Sequence, residues 1–225
     1  MKKKGLFISI PKNASRTIQR MLNCALVDGN SQKVIAQVLE QNFISDNHCR
    51  ASVMKERYGV HFDNSLKFCV IRDPYERAKS WYLYHKELGA KPYTILNFNN
   101  WILADCPHHW GFQNGTFYSK YSFPLNKRRD SNYNPIHQHI FVCDDKDNLI
   151  VDRILTMKTL QEDLAKISNE LGYPINLEQK KVNTTKTKKS SVNFSKEAKK
   201  HLRKLLSKDF EIFNFENLFD MDDNL

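Results

Sequence analysis

Apolar residues follow two kinds of pattern along this chain. Leu6-Phe-Ile-Ser-Ile10 and Leu66-Lys-Phe-Cys-Val-Ile71 are short, almost continuously apolar runs that stop abruptly in polar residues. Such runs suit strands buried on both faces, as in a parallel sheet. Elsewhere apolar positions recur every three or four residues, the period of a helix with one buried face. That period predicts a helix from about Ser15 to Leu26, with Ile18, Met21, Leu22 and Ala25 on one side. Shorter helical stretches follow over Val34–Leu39 and 49–58. Asp73-Pro-Tyr-Glu76 opens another helix, with Asp73 suited to the N-cap, Pro74 to the first helical position and Glu76 to a capping box. That helix carries Ala78, Trp81, Tyr82 and His85 on its repeating faces.

The second half is less regular. Residues 92–135 are rich in aromatics and read as long loops around a helix near 94–104. Gln138–Val142 is a third strand candidate. Thr159-Leu-Gln-Glu162 has the spacing of a capping box. Leu160, Leu164, Ile167 and Leu171 form the stripe behind it, and Gly172 and Pro174 stop it. A lysine-rich loop over 180–193 leads to a last amphipathic helix from about Ser195 to Ser207. Alternating strands and helices predict an α/β fold with a parallel sheet. Glycine and proline are scarce and there is no repeat, so residues 1–225 read as one domain.

Charge narrows the partners. The net charge of +10 favours anions: a nucleotide, nucleic acid, a membrane surface or an acidic polysaccharide. Much of the excess sits in lysines between 180 and 204, which a solvated basic face also explains. The five cysteines are odd in number and include no C-x-x-C, which predicts reduced, mostly buried thiols. The apolar run after Met1-Lys-Lys-Lys-Gly5 is too short for a signal-peptide core or a membrane span. If the chain is complete, the expected location is cytoplasmic, with no integral membrane segment.

The candidate chemistry lies where the two apolar runs end. Ile10-Pro11-Lys12-Asn13-Ala14-Ser15-Arg16-Thr17 takes a strand through a short polar loop into a helix. Backbone N–H groups of such a loop point at an anion, and Lys12 adds a point charge. It is not a Walker A loop, because G-x-x-x-x-G-K-[ST] is absent. Ile71-Arg72-Asp73-Pro74-Tyr75-Glu76-Arg77-Ala78-Lys79-Ser80 repeats the strand–loop–helix plan. Ligands of open α/β sheets gather at the strand ends. Two anion sites at one sheet edge suit a nucleotide phosphorylated at both ends.

This pair of segments resembles the cofactor-binding elements of sulfotransferases that use 3′-phosphoadenosine 5′-phosphosulfate (PAPS), in particular the carbohydrate branch of Golgi-type and bacterial enzymes. The resemblance implies a P-loop-like three-layer fold, a central parallel sheet flanked by helices. Weaker similarity runs on through Val151-Asp-Arg-Ile154, the helix after Thr159 and Asp209-Phe-Glu-Ile-Phe213. By resemblance, Pro11, Lys12, Asn13, Ala14, Ser15, Arg16 and Thr17 form the 5′-phosphosulfate loop. Lys12 would contact the leaving phosphate and the sulfuryl group, and Ser15, Thr17 and the loop amides would hold the 5′-phosphate. Arg72 and Ser80 would hold the 3′-phosphate. Arg16 stands where the family often has a hydroxyl residue. Asn47-His48-Cys-Arg-Ala-Ser-Val resembles a segment whose histidine is the base in some carbohydrate sulfotransferases. His48 is therefore the first candidate, His61 the second and Glu76 the third.

Other signals carry less. Cys106-Pro-His108-His109 and His137-Gln-His139 lack zinc-site spacing with a matching partner pair. The first reads as a loop and the second as alternating faces of a strand, so no metal is expected. Aromatics between 93 and 123 suit either sugar stacking or core packing. Lys180, Lys181, Lys186, Lys188 and Lys189 suit either a polyanionic acceptor or a solvated loop. The implied function is transfer of a sulfuryl group from PAPS to a hydroxyl, of a carbohydrate or glycan, by in-line displacement. An ATP-using P-loop-like kinase is the alternative, but no Walker-type magnesium ligands are evident. A basic nucleic-acid-binding protein ranks behind it, because no nucleic-acid motif occurs and none is expected as partner.

Overall fold

The structure, a computed structural model, describes residues 3–27, 40–46, 48–108, 134–177 and 191–218. These divide into two compact units. One holds the described residues up to Ile71 together with 140–177; the other holds 72–108, 134–139 and 191–218.

The first unit is built on a five-stranded, wholly parallel sheet. In chain order its strands are β1 (Gly5–Ile8), β2 (Ala25–Val27), β3 (Phe43–Asp46), β4 (Leu66–Ile71) and β5 (Arg153–Thr156). Their spatial order is β2-β3-β1-β4-β5, and Phe7 lies opposite Phe68, Ile8 opposite Cys69 and Ile71 opposite Thr156. Helix α1 (Ser15–Met21) follows β1, α2 (Ala51–Tyr58) and α3 (Val60–Asp63) precede β4, and α6 (Leu160–Leu171) follows β5. Phe7, Phe68, Val70 and Leu155 of the sheet form one buried cluster with Ile18 and Met21 of α1 and Leu164, Ile167 and Leu171 of α6. The alternate positions Leu6, Ile8, Cys69 and Ile71 are buried as well. Burial on both faces is why these strands read as continuous apolar runs.

The second unit is helical: α4 (Pro74–Glu87), α5 (Phe98–Leu103), α7 (Lys196–Leu205), α8 (Ser207–Phe213) and α9 (Phe215–Leu218). Its core is aromatic. Trp81 Nε1 donates to the Tyr93 hydroxyl at 2.7 Å, the Tyr82 hydroxyl to the Leu96 carbonyl at 2.8 Å and Trp101 Nε1 to the Pro107 carbonyl at 2.8 Å. Tyr93 and Trp101 are therefore core residues whose polar ends are satisfied.

Several expectations change. The helix predicted over Ser15–Leu26 ends at Met21. Asn23 takes the left-handed conformation, its N–H bonds to the Arg20 carbonyl and that of Cys24 to the Gln19 carbonyl. That is a Schellman cap with asparagine in the usual glycine position, and it frees Ala25–Val27 to become a strand. Gln138–Val142 is not a strand but a turn with a 3₁₀ segment at His139–Phe141. The buried Asp209 carboxylate takes the N–H groups of Gln138 and His139, which a strand ladder would need. The sheet's last strand is instead Arg153–Thr156. Thr159 makes no side-chain cap. Its hydroxyl donates to Asp163 Oδ2 at 2.5 Å, and its N–H bonds to the Thr156 hydroxyl oxygen. Gly172 stops the helix in the left-handed conformation, as expected. The Asp73 carboxylate accepts the Glu76 N–H at 2.7 Å, and Ser195 caps α7 in the same way. The stretch Val34–Leu39, residues 109–133 and the lysines from 180 to 189 lie outside the described residues. None of the five cysteines is in a disulfide. Among the described residues, no helix is long and apolar enough to cross a membrane.

Gly5 marks the tightest packing. A Cβ there would lie 2.5 Å from Phe43 Cδ1 and 3.2 Å from Leu171 Cδ1, and the Phe43 ring is itself held edge-on against Tyr173. Gly5→Ala is expected to destabilise the fold by about 1–3 kcal/mol through overpacking, read as a lower urea midpoint.

Candidate active site

The loop leaving β1 is strained in an ordered way. Lys12 and Ala14 both have positive φ, at 68° and 59°, with Asn13 between them outside that region. Each such residue costs on the order of 1 kcal/mol without glycine's freedom. Left-handed residues in a loop can turn backbone N–H groups toward an anion. Three bonds hold the loop in this shape. Asn13 N–H reaches back to the Ile10 carbonyl, and the Ser15 hydroxyl donates to the same carbonyl at 2.7 Å. Asn13 Nδ2, buried, donates to the Val70 carbonyl at 2.7 Å and pins the loop to the end of β4. The Ser15 hydroxyl proton is thus engaged within the loop. Thr17 is buried, Lys12 is half-buried and Arg16 is exposed.

His48 belongs to the same unit and meets the same loop. Its φ is 57°, again left-handed. Its Nδ1 lies 3.0 Å from the Ser9 carbonyl and 3.2 Å from the Ser9 hydroxyl. A carbonyl only accepts, so the Ser9 carbonyl contact calls for a proton on Nδ1, whereas the Ser9 hydroxyl is compatible with either tautomer. The neighbouring Arg50 anchors this segment through Nε to the Ile140 carbonyl at 2.9 Å and an ion pair with Asp145 at 3.6 Å. His61 sits exposed on α3, its carbonyl accepting the Ser65 hydroxyl.

The second element lies in the second unit. Arg72 follows β4 directly and Ser80 is buried in the second turn of α4. Arg72 Nη2 is 3.7 Å from Glu76, which also pairs with Lys79 at 3.7 Å. Burial pulls the Arg72 guanidinium below its ordinary pKa, against the opposing pull of Glu76 and Asp73. An anion beside it would offset that desolvation. Arg77, the motif's second arginine, is fully buried. Nη2 donates to the Pro135 carbonyl at 2.9 Å and Nη1 to that of Ile136, with the group 5.3 Å over Trp81. Its role is to hold the 135–136 segment. The family resemblance singles out Arg72 and Ser80 as candidates; Arg77's carbonyl partners have no sequence signal.

His137 and His139 do not alternate along a strand. With Asp209 they bring ligand-type atoms within 4.8 Å of one another, the one such group among the described residues. His139 Nδ1 bonds directly to Asp209 Oδ1 at 2.5 Å, and each Asp209 oxygen also accepts a backbone N–H. These bonds explain the buried carboxylate without an ion. Cys106 is buried in a loop, as expected for its segment.

The tautomer is open to direct measurement. The ¹⁵N spectrum of neutral His48 is expected to show a protonated Nδ1 and an unprotonated Nε2. The reverse pattern would remove the Ser9 carbonyl as the group that orients the ring.

The sulfotransferase family matches this chain over residues 2–216. A sulfotransferase from Alicyclobacillus acidocaldarius has the same fold, with a TM-score of 0.54 at 11% identity, over 99% of this chain and 97% of that one. No curated protein matches. With a family match covering nearly its whole length and a parallel sheet flanked by helices, this chain belongs to the sulfotransferase family and is a transferase of sulfuryl groups.

Proposed function

We propose that the protein transfers the sulfuryl group of PAPS to a hydroxyl of a carbohydrate or glycan, with His48 as base and Lys12 as electrostatic stabiliser. The observation that carries this reading is the bond from His48 Nδ1 to the Ser9 carbonyl. It supports an imidazole whose Nε2 is the proton acceptor, on the strand exit that leads into the Lys12 loop. When bound, PAPS supplies a sulfuryl group already activated on a phosphosulfate bond.

The chain's residues divide the remaining work. His48 Nε2 takes the proton of the acceptor hydroxyl as its oxygen bonds to sulfur. Lys12 and the loop N–H groups meet the negative charge that grows on the departing 5′-phosphate oxygen as the S–O bond breaks. They are held in place before the reaction by Asn13 and Ser15, so little reorganisation is needed. Arg72 takes the 3′-phosphate through its guanidinium, whose planar fork suits phosphate oxygens, with Ser80 as second donor. Thr17 and the Ser15 amide serve the 5′-phosphate, while Arg16, exposed on α1, adds long-range charge. Transfer by this route uses no metal.

The family match spans both compact units, which supports reading residues 1–225 as one sulfotransferase-like domain. The +10 net charge favours an anionic glycan among carbohydrate acceptors. Five thiols outside disulfides fit a reducing compartment such as the cytoplasm.

Calorimetry is expected to detect binding of adenosine 3′,5′-bisphosphate and much weaker binding of ATP with magnesium. The opposite order would return the kinase reading. Lys12→Ala is expected to lower kcat by roughly 10²–10³-fold. His48→Asn, which tolerates the left-handed backbone, is expected to lower it by about 10²–10⁴-fold while keeping bisphosphate affinity. Near-normal turnover in His48→Asn would remove it as the base.

A further inference from the structure

We infer that Gln138, held by Asp209, is the positioning residue for Arg72, and so governs affinity for the 3′-phosphate end of the nucleotide. The inference rests on the reading of Arg72 proposed above. It starts from a backbone problem. The ladder between β4 and β5 ends at Ile71 opposite Thr156, so the next residue, Arg72, leaves the sheet with its peptide groups in need of partners. Gln138 supplies both. Its Oε1 accepts the Arg72 N–H at 3.0 Å, and its Nε2 donates to the Arg72 carbonyl at 2.8 Å. One side-chain amide thus grips the arginine backbone as a neighbouring strand would. The Arg72 guanidinium itself also lies 3.7 Å from the part-exposed Glu76.

Gln138 is itself held from behind. Only 1% of it is exposed, and its N–H donates to Asp209 Oδ2 at 2.7 Å. The other oxygen of Asp209 accepts the His139 N–H at 2.9 Å and the His139 ring at 2.5 Å. Asp209, on α8, is completely buried. Just upstream, Arg77 of α4 holds the Pro135 and Ile136 carbonyls. Charge-assisted bonds are about twice as strong as neutral ones, and a buried charge deprived of its partner is strongly unfavourable. The segment 135–139 is therefore gripped near both ends by buried charges from two helices, and its Gln138 side chain bonds the Arg72 backbone.

The test compares two nucleotides by calorimetry: adenosine 3′,5′-bisphosphate, and adenosine 5′-phosphate, which lacks the 3′ group. The wild type is expected to prefer the bisphosphate, and Arg72→Ala to abolish the preference. Gln138→Leu is expected to weaken the bisphosphate about tenfold, ~1.4 kcal/mol, with the 5′-phosphate unchanged. Asp209→Asn is expected to act in the same direction by about threefold, and it decides the matter if Gln138→Leu does not fold. A purely structural role for Gln138 would weaken both nucleotides equally or neither. Either result, with Arg72→Ala still effective, overturns the inference and leaves the Arg72 reading intact. An undiminished preference in Arg72→Ala overturns that reading, and the inference with it.

Discussion

The parallel pairing of β1 with β4 is the constraint on which the first unit depends. Ile8 lies opposite Cys69, so the two strands run the same way and end at the same sheet edge. Parallel neighbours cannot be joined by a tight turn, so the chain must leave each strand through a crossover. That is why a loop and a helix follow β1 directly and why the loop carries its polar residues there. The pairing is locked by burial on both faces, with the Phe7 and Phe68 rings 5.6 Å apart. A register slip would exchange the two buried faces. Asn13 then fastens the loop to the Val70 carbonyl, so the geometry of the loop derives from the sheet.

Backbone strain concentrates where the chemistry is proposed. Of the described residues with positive φ, most are Asn, Asp or Gly, which tolerate that region; the others are Lys12, Ala14 and His48 of the proposed site and Cys106 in a loop of the second unit. Such conformations persist only where surrounding contacts over-determine them. Here the contacts are visible: the Ser15 and Asn13 bonds for the loop, and the Ser9 carbonyl for His48. The loop after β1 holds two left-handed residues without glycine, and two polar side chains, Asn13 and Ser15, fix it.

In the second unit the organising groups are buried charges. Arg77 and Asp209 lie far apart in the chain and both act on the segment 135–139, one through its carbonyls and the other through its N–H groups. Each satisfies backbone groups that would otherwise be buried without partners. Their combined effect is to replace the strand expected at Gln138–Val142 with a turn, and to turn the Gln138 amide toward Arg72.

What the sequence determined by itself was whatever its local pattern encodes. The runs at Leu6–Ile10 and Leu66–Ile71, the Asp73 and Ser195 caps and the Gly172 stop each depend on residues within about one helical turn or one strand. The two motifs, Pro11–Thr17 and Arg72–Ser80, are local in the same sense, and they led to the family. The Asn23 stop was also local, but asparagine is a weaker signal there than glycine. The remaining features were decided by tertiary structure alone. His48 meets Ser9 across 39 residues, Gln138 meets Arg72 across 66 and His139 meets Asp209 across 70. A hydrogen bond between residues so distant leaves no periodicity and no spacing to read. It exists only once the sheet and the helices have brought its two ends together, and for that reason the Ser9 contact of His48 and the grip on Arg72 could be seen only in the folded chain.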